Sequence, residues 1–232
     1  MKDEKSVLFV LFVLVSVTSF SQIRGWNVKV GMNVSNWTTD ELDTKIGYRV
    51  GVGTEYAFND TWSLQPSLLF STKGTKIGAN LAGFGFDFKV NQMYLELPIM
   101  AAARFKVGKS TNFVVNAGPY VAYGVGGKTK FSAHYKGEQA SIKFNSFGNI
   151  DKVTVEAGGE SFDVTVDELA DNTDDDLGDL KGLRRFDLGV GVGVALELNK
   201  IVLGLDGEFG LTKLETDGGK NLNFAVSVGY KF

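Results

Sequence analysis

Acidic and basic side chains recur on one side of alternating segments in this 232-residue chain, and their spacing is the feature that could support chemistry. The other side of each segment is apolar, and the charges are interspersed mainly with Gly, Ser, Asn and Ala. Charges that share a narrow interior could form a polar conduit or a proton path. Because an unpaired buried charge is costly, we expect them instead to form ion pairs that fill the interior. The candidates are Arg49, Glu55, Glu96, Arg104, Arg185, Asp187, Glu197, Asp206 and Glu208.

Other chemistry has less support in the sequence. The only histidine, His134, has no serine and carboxylate at a spacing typical of a catalytic triad, so we predict that the protein is not an enzyme. The chain has no cysteine, which excludes disulfides, thiol chemistry and a lipoprotein anchor. We predict no cofactor, and a formal net charge of −3 argues against nucleic acid as a partner.

An acidic stretch near residue 175 carries the oxygen ligands that Ca²⁺ prefers. It lacks the regular spacing and the glycine of an EF-hand loop, so we favour a solvated acidic tip and predict no metal site. Its acids are Asp171, Asp174, Asp175, Asp176 and Asp179.

The segments that position the charges alternate with a period of two, which is typical of β-strands between two different environments. In the clearest segment, apolar residues occupy every even position from Phe186 to Leu198, and Gly, Ala or charged residues occupy the odd ones. Each segment is long enough for a tilted transmembrane strand, which needs about 9–11 residues. The eight predicted strands are 26–36, 46–58, 62–72, 92–105, 112–125, 184–198, 201–212 and 222–232.

The connections between these segments alternate in length. Short links at 59–61, 106–111 and 199–200 alternate with longer ones at 37–45, 73–91, 126–183 and 213–221. Transmembrane barrels place short turns in the periplasm and longer loops outside. We therefore predict an all-β fold, an eight-stranded antiparallel up-and-down transmembrane β-barrel with one long extracellular loop at 126–183. An even number of strands places both termini in the periplasm.

Within the long loop, 152–157 and 161–166 alternate around Gly158-Gly159, which predicts a hairpin standing above the membrane. Elsewhere, Pro66, Pro98 and Pro119 fall inside predicted strands. Because proline removes a ladder donor and a closed barrel has no edge to shelter it, we expect bulges or kinks at these positions.

The termini and the aromatic residues agree with the outer membrane as the location. Residues 1–21, with an apolar run too short to span a bilayer, are predicted to be a cleaved export signal, which leaves 22–232 as the barrel domain. The rival fold is a soluble lipocalin-like barrel, which would turn its apolar side inward. Two aromatic belts on the apolar phase favour the membrane barrel. One contains Trp26, Tyr56, Phe58, Trp62, Phe105, Phe113, Tyr230 and Phe232, and the other contains Phe70, Tyr123, Phe186 and Phe224.

Several stretches resemble a known family. The stretches that carry this resemblance are 94–99 (YLELPI), 117–123 (AGPYVAY), 185–189 (RFDLG) and the closing 228–232 (VGYKF). Through them the chain resembles the Bacteroidetes outer-membrane β-barrel family, labelled PorT-like or "porin family". The phrases 29–35 (KVGMNVS) and 209–211 (FGL) extend this likeness over the mature chain. The resemblance implies an outer-membrane barrel. The named member of this family takes part in type IX protein secretion. It implies no catalytic residues.

The sequence leaves several non-enzymatic functions open. The leading hypothesis is an integral outer-membrane protein that is an accessory of protein secretion or envelope assembly. The alternatives are small-solute transport, adhesion or ligand binding through the 126–183 loop, and a purely structural envelope protein. The predicted partners are outer-membrane lipid and lipopolysaccharide, together with envelope or secretion proteins.

Overall fold

The computed structural model describes residues 23–38, 43–81, 83–166, 181–215 and 218–232. The predicted export signal and the acidic stretch at 171–179 lie outside these ranges. In the described residues no helix has the length and apolar character needed to cross a membrane. The described chain forms twelve strands with antiparallel pairings. They are β1 (Ile23–Trp37), β2 (Asp43–Ala57), β3 (Trp62–Leu81), β4 (Phe84–Lys106), β5 (Thr111–Gly126), β6 (Lys128–Tyr135), β7 (Glu138–Asn145), β8 (Lys152–Ala157), β9 (Glu160–Thr165), β10 (Phe186–Leu198), β11 (Ile201–Gly210) and β12 (Asn221–Lys231).

Eight of these strands close into a ring. The order around it is β1, β2, β3, β4, β5, β10, β11 and β12, and β12 pairs with β1 from Asn27↔Lys231 to Trp37↔Asn221. The predicted all-β antiparallel fold is confirmed, and each of the eight predicted segments corresponds to one strand of the ring. The short links at 58–61, 107–110 and 199–200 share one end of the ring with the start of β1 and the end of β12. We call this the turn end, and the opposite end the loop end.

The ring turns its apolar side chains outward. Val30, Met32 and Val226 are about 60% exposed on the outer surface, whereas the alternating Asn33 and Ala225 are buried inside. This arrangement is the reverse of that in a soluble barrel, whose apolar side must face inward. The aromatic residues of the two predicted belts lie on the outer surface too, half-buried at Tyr56 and Phe70 and exposed at most other positions.

Two links predicted to be loops are instead folded into strands. The link 73–91 is wrong as a loop, because β3 and β4 continue past the ring in unchanged register as far as Leu81↔Phe84. The 126–183 loop is also wrong as a single long loop, because it contains β6 to β9. These strands extend the sheet beyond β4, since β6 pairs with the overhanging part of β4. The predicted hairpin around Gly158-Gly159 is present as β8 and β9. We call residues 75–81, 84–90 and β6 to β9 the outer sheet.

The bulges predicted at the prolines are not found there. The β3–β4 register is the same on both sides of Pro66, the β4–β5 register is the same on both sides of Pro98, and Pro119↔Val190 lies in an uninterrupted ladder. A missing N–H removes one ladder bond, but a bulge needs an inserted residue. The register shifts lie elsewhere, between Ile23 and Trp26, between Thr44 and Arg49, and between Met93 and Tyr94.

Near the register shift between Met93 and Tyr94, one edge of β4 passes from pairing with β5 in the ring to pairing with β6 in the outer sheet. β5 pairs with β4 up to Gly126, and after Gly127 the chain continues along the same edge of β4 as β6. Gly127 has a φ of +138°, and a Cβ there would lie 2.0 Å from the carbonyl oxygen of Asn91. A residue other than glycine therefore cannot keep both this backbone conformation and the close approach to β4.

Replacing Gly127 with alanine is expected to destabilise the protein by about 2 kcal/mol or more, from left-handed backbone strain and the clash with Asn91. The matched control is Gly126→Ala, where the nearest atom to a new Cβ is the Met93 sulfur at 3.7 Å. Urea unfolding of both variants in detergent micelles, followed by tryptophan fluorescence, measures the difference. Equal stability of the two variants would contradict this account of the β5–β6 junction.

Candidate functional site

Four charged residues form a closed group inside the turn end of the ring, the turn-end cluster. Arg104 places Nη1 2.6 Å from Glu55 Oε1 and Nε 2.8 Å from Glu197 Oε2. The Lys231 ammonium lies 3.0 Å from Glu55 Oε2 and also contacts Glu197. Two cations therefore face two carboxylates, and the group joins β2, β4, β10 and β12 across the interior.

A second group, the loop-end cluster, lies deeper towards the other end. Arg49 donates from Nη2 to Glu208 Oε1 at 2.9 Å, and its Nη1 lies 3.6 Å from Asp206 Oδ2. The Lys73 ammonium lies 2.5 Å from Glu96 Oε1 and 3.0 Å from Glu208 Oε2. Seven of the nine residues expected to pair inside the barrel, namely Arg49, Glu55, Glu96, Arg104, Glu197, Asp206 and Glu208, thus belong to one of the two clusters.

Lys73 is the central cation that sequence reasoning missed. Its side chain is 0% exposed, and besides its two carboxylates it lies 4.9 Å from the centre of the Tyr120 ring. The apolar pattern of β3 ends at Phe70, so the sequence predicts a loop at Lys73. The signal that could have found it is its phase, since Leu69, Ser71 and Lys73 alternate on the inward side of one strand.

The remaining two candidates have other partners. Asp187 is fully buried and accepts hydrogen bonds from Tyr120 at 3.2 Å, Thr212 at 2.8 Å and Asn221 at 2.8 Å. Three neutral donors therefore replace the cation that we expected. Arg185 precedes β10, donates to the carbonyl oxygen of Gly124 at 2.8 Å, and lies outside both clusters.

An apolar cluster covers the loop end of the ring. Tyr94 and Phe147 pack edge to face with ring centres 5.3 Å apart, and Leu183 and Leu214 are buried beside them. Between this cover and the turn-end cluster, two internal cavities of about 50 Å³ and 30 Å³ lie against Asn116 and Asp206. Each is near the size of one or two water molecules, so side chains occlude the interior of the ring.

The outer sheet has two unlike faces. One continues the inward side of β3 and β4 and carries an apolar row across six strands, at Ile77, Phe88, Phe131, Ile142, Val155 and Phe162. Phe131, Ile142 and Phe162 are between 41% and 51% exposed. The other face continues the outward side of the ring and is polar, with Lys130 and Lys143 both paired to Glu156. His134 lies on this polar face and hydrogen-bonds to Asn80.

The family model described as "Outer membrane protein beta-barrel domain" matches residues 20–215. The chain belongs to this outer-membrane β-barrel family. The family places it in the outer membrane, in contact with lipid, as the outward apolar surface requires.

No curated protein matches the chain. Among solved structures, Ail of Yersinia pestis is 17% identical, with 90% of this chain and 99% of Ail covered and a TM-score of 0.36. Neisserial surface protein A is 12% identical, with 90% and 99% covered and a TM-score of 0.39. The translocator domain of the autotransporter NalP from Neisseria meningitidis is 12% identical, with 100% and 96% covered and a TM-score of 0.29. At these scores the likeness carries no functional information.

Replacing Lys73 with methionine is expected to cost about 3–5 kcal/mol, because Glu96 and Glu208 lose the buried cation that they share. The control is Lys89→Met, which removes an exposed lysine of the same long hairpin and should cost less than about 1 kcal/mol. Urea unfolding in phospholipid vesicles measures both. Adding Glu96→Gln to Lys73→Met should recover part of the loss, and an equal effect of Lys73→Met and Lys89→Met would contradict the pairing.

Glu156 in the outer sheet offers a pH test. Hydrogen bonds from the Lys143 ammonium and the Ser141 hydroxyl hold the pKa of its carboxyl below the ordinary 4.5. Since the folded-state pKa is depressed, the contact stabilises the β7–β8 pairing above the unfolded value and is lost as the pH falls through the folded one. Carboxyl ¹³C NMR should show a midpoint below 4.5, and Lys143→Gln should raise it. Asp163, whose pKa is lowered by Lys152 and Thr154, is the control that should not move. A Glu156 midpoint at or above 4.5 would contradict the contact.

Proposed function

We propose that the protein is a non-enzymatic, non-conducting integral outer-membrane β-barrel. The eight-stranded ring spans the membrane as an up-and-down barrel with its turn end, and so both termini, in the periplasm. Residues 1–21 are a cleaved export signal and 22–232 the barrel domain. The observation that carries this proposal is the occluded interior, with charged clusters at two levels and an apolar cover at the loop end.

The occluded interior argues against the solute-transport alternative. A porin needs a water-filled lumen, and eight strands enclose a space only wide enough for side chains. Here the Arg104 guanidinium bridges Glu55 on β2 and Glu197 on β10, so an ion crossing this level must displace a bidentate pair. The seven paired charges are therefore best explained as structural partners.

The purified protein in a planar bilayer is expected to give no conductance steps, because side chains close the barrel at three levels. A porin inserted in the same bilayer is the positive control, and protease protection in vesicles verifies that the protein has inserted. Discrete steps from inserted protein would overturn the non-conducting assignment and restore solute transport as the leading function.

A role outside the membrane follows from the outer sheet. A barrel that carries nothing through its interior must act through its surface, and beyond the lipid-facing wall the apolar face of this sheet exposes Phe131, Ile142 and Phe162. Contiguous exposed apolar patches are typical of protein-binding surfaces. Together with the sequence resemblance to the PorT-like family, this face supports an accessory role in protein secretion or envelope assembly, in which it binds a protein. Adhesion through the same sheet is the alternative that the geometry also accommodates.

The test is a deletion strain complemented with a triple variant, Phe131→Ser, Ile142→Ser and Phe162→Ser. These side chains are exposed, so we expect the barrel to assemble but secreted proteins to remain in the periplasm. The control variant carries Gln139→Ser, Thr154→Ser and Thr165→Ser on the polar face and should restore secretion as the unchanged protein does. An unchanged secretome in the deletion strain would exclude the secretion role and leave adhesion as the function to examine.

A further inference from the structure

The polar face of the outer sheet is basic and lies directly beyond the lipid-facing wall of the ring. It carries six lysines, Lys76, Lys89, Lys128, Lys130, Lys143 and Lys152, against three acids, Asp87, Glu156 and Asp163. The face is therefore positive, although the whole chain has a net charge of −3. It continues the side of β4 that carries Leu95 and Ile99, the side that faces lipid in the proposed function.

Four of these lysines form a row across neighbouring strands. Lys76 pairs with Lys89, Lys89 with Lys130, and Lys130 with Lys143, on β3, β4, β6 and β7. Like charges directly opposite one another destabilise a sheet. Glu156 offsets Lys130 and Lys143. Lys89 lies 4.0 Å from Asp87, the outer limit of an ion pair. Lys76 has Asp43 of β2 opposite it in the register but no close ion pair with it, so an external anion would stabilise the Lys76–Lys89 half of the row.

A notch of about 330 Å³ opens at the junction of this basic face with the lipid-facing wall. Its upper side carries Lys128, Asn91, Asn145 and Arg185, and its lower side carries the apolar Met93 and Val125. Lys128 donates to Asn145 Oδ1 at 2.8 Å, and Lys45 from β2 donates to Asn91 Oδ1 at 2.7 Å. Ammonium groups are therefore held at the rim of a cavity whose floor is apolar.

We propose that this notch and the adjoining Lys76–Lys89 pair bind the phosphate groups of an anionic lipid in the outer leaflet. The inference rests on the proposed function, because it requires the ring to span the membrane with the outer sheet outside. Two observations select a lipid as the occupant. The lysines complement a phosphate, and the apolar floor continues into the lipid-facing surface, where the acyl chains of the same molecule would lie. Free phosphate would use only the upper half of the notch.

The level of the basic residues fits this assignment. Along the outward side of β4, apolar residues extend from Phe105 to Met93, and Asn91 and Lys89 follow directly. Residues two apart on a strand are separated by about 7 Å. Lys89 thus lies two such steps, about 14 Å along the strand, beyond Met93 at the end of the apolar band, on the headgroup side of that band.

The experiment compares the unchanged protein with a variant carrying Lys76→Gln, Lys89→Gln and Lys128→Gln. Both are placed in phosphatidylcholine nanodiscs that contain lipid A bearing both phosphates, and the lipid A retained by each protein is titrated by native mass spectrometry. Removing three lysines near a membrane surface should weaken retention by about tenfold or more. The control, Lys106→Gln, Lys109→Gln and Lys200→Gln at the turn end, changes the charge equally and should retain lipid A as the unchanged protein does.

Three results would overturn the inference. They are equal retention by the triple variant, equal retention of lipid A that lacks both phosphates, and displacement of lipid A by an equal concentration of inorganic phosphate. Protease protection reports membrane insertion separately. Failure of all the proteins to insert would refute the proposed function, whereas normal insertion with unchanged lipid retention would refute this inference alone.

Discussion

The constraint on which the structure depends is the closure of eight strands into a ring too narrow to hold bulk water. Closure satisfies the backbone along every strand and leaves no edge within the ring. It also encloses every inward side chain, so each interior charge must find its partner across the ring and not in solvent. The Arg49–Glu208 contact joins residues 159 positions apart, and Arg104 and Glu197 are 93 apart. These pairs hold together strands that are distant in sequence.

Lys73 on β3 links strands on different sides of the interior through its ion pairs. It neutralises Glu96 on β4 and Glu208 on β11, while Arg49 shares Glu208 and reaches Asp206. Asp187 needs no cation because three neutral donors satisfy it. In the proposed function such an interior does not conduct, since the side chains that stabilise the ring also occupy its lumen. The family assignment to outer-membrane barrels describes where the protein resides, and the proposed function places its activity outside the lumen.

The outer sheet inherits its two faces from the ring. β3 and β4 extend beyond the neighbouring strands of the ring. Their inward side continues as the apolar face of the outer sheet, and their outward side continues as its basic face. The ring thus sets the orientation of both surfaces. In the proposed function the apolar face lies above the covered mouth and binds a protein, and in the further inference the basic face lies beside the membrane and binds lipid phosphates. The alternation of side chains along β3 and β4 beyond the ring thus separates the two proposed kinds of partner.

The sequence by itself determined the ring. Period-two alternation, as from Phe186 to Leu198, fixes which side chains face out, and short links fix which strands are neighbours, because both depend on local spacing alone. It also determined that interior charges must pair. Only the tertiary structure decided the partners, because Lys73 and Glu208 meet only when the ring closes. The outer sheet was likewise missed from the local pattern. In β4 beyond the ring the apolar residues Phe84, Phe86, Phe88 and Val90 occupy the inward phase, whereas within the ring the apolar residues occupy the outward phase. The alternation is therefore interrupted between the two parts, and the outer part of the strand reads as loop. Pairing with β6, set by the shift near Met93, is what makes it part of a sheet.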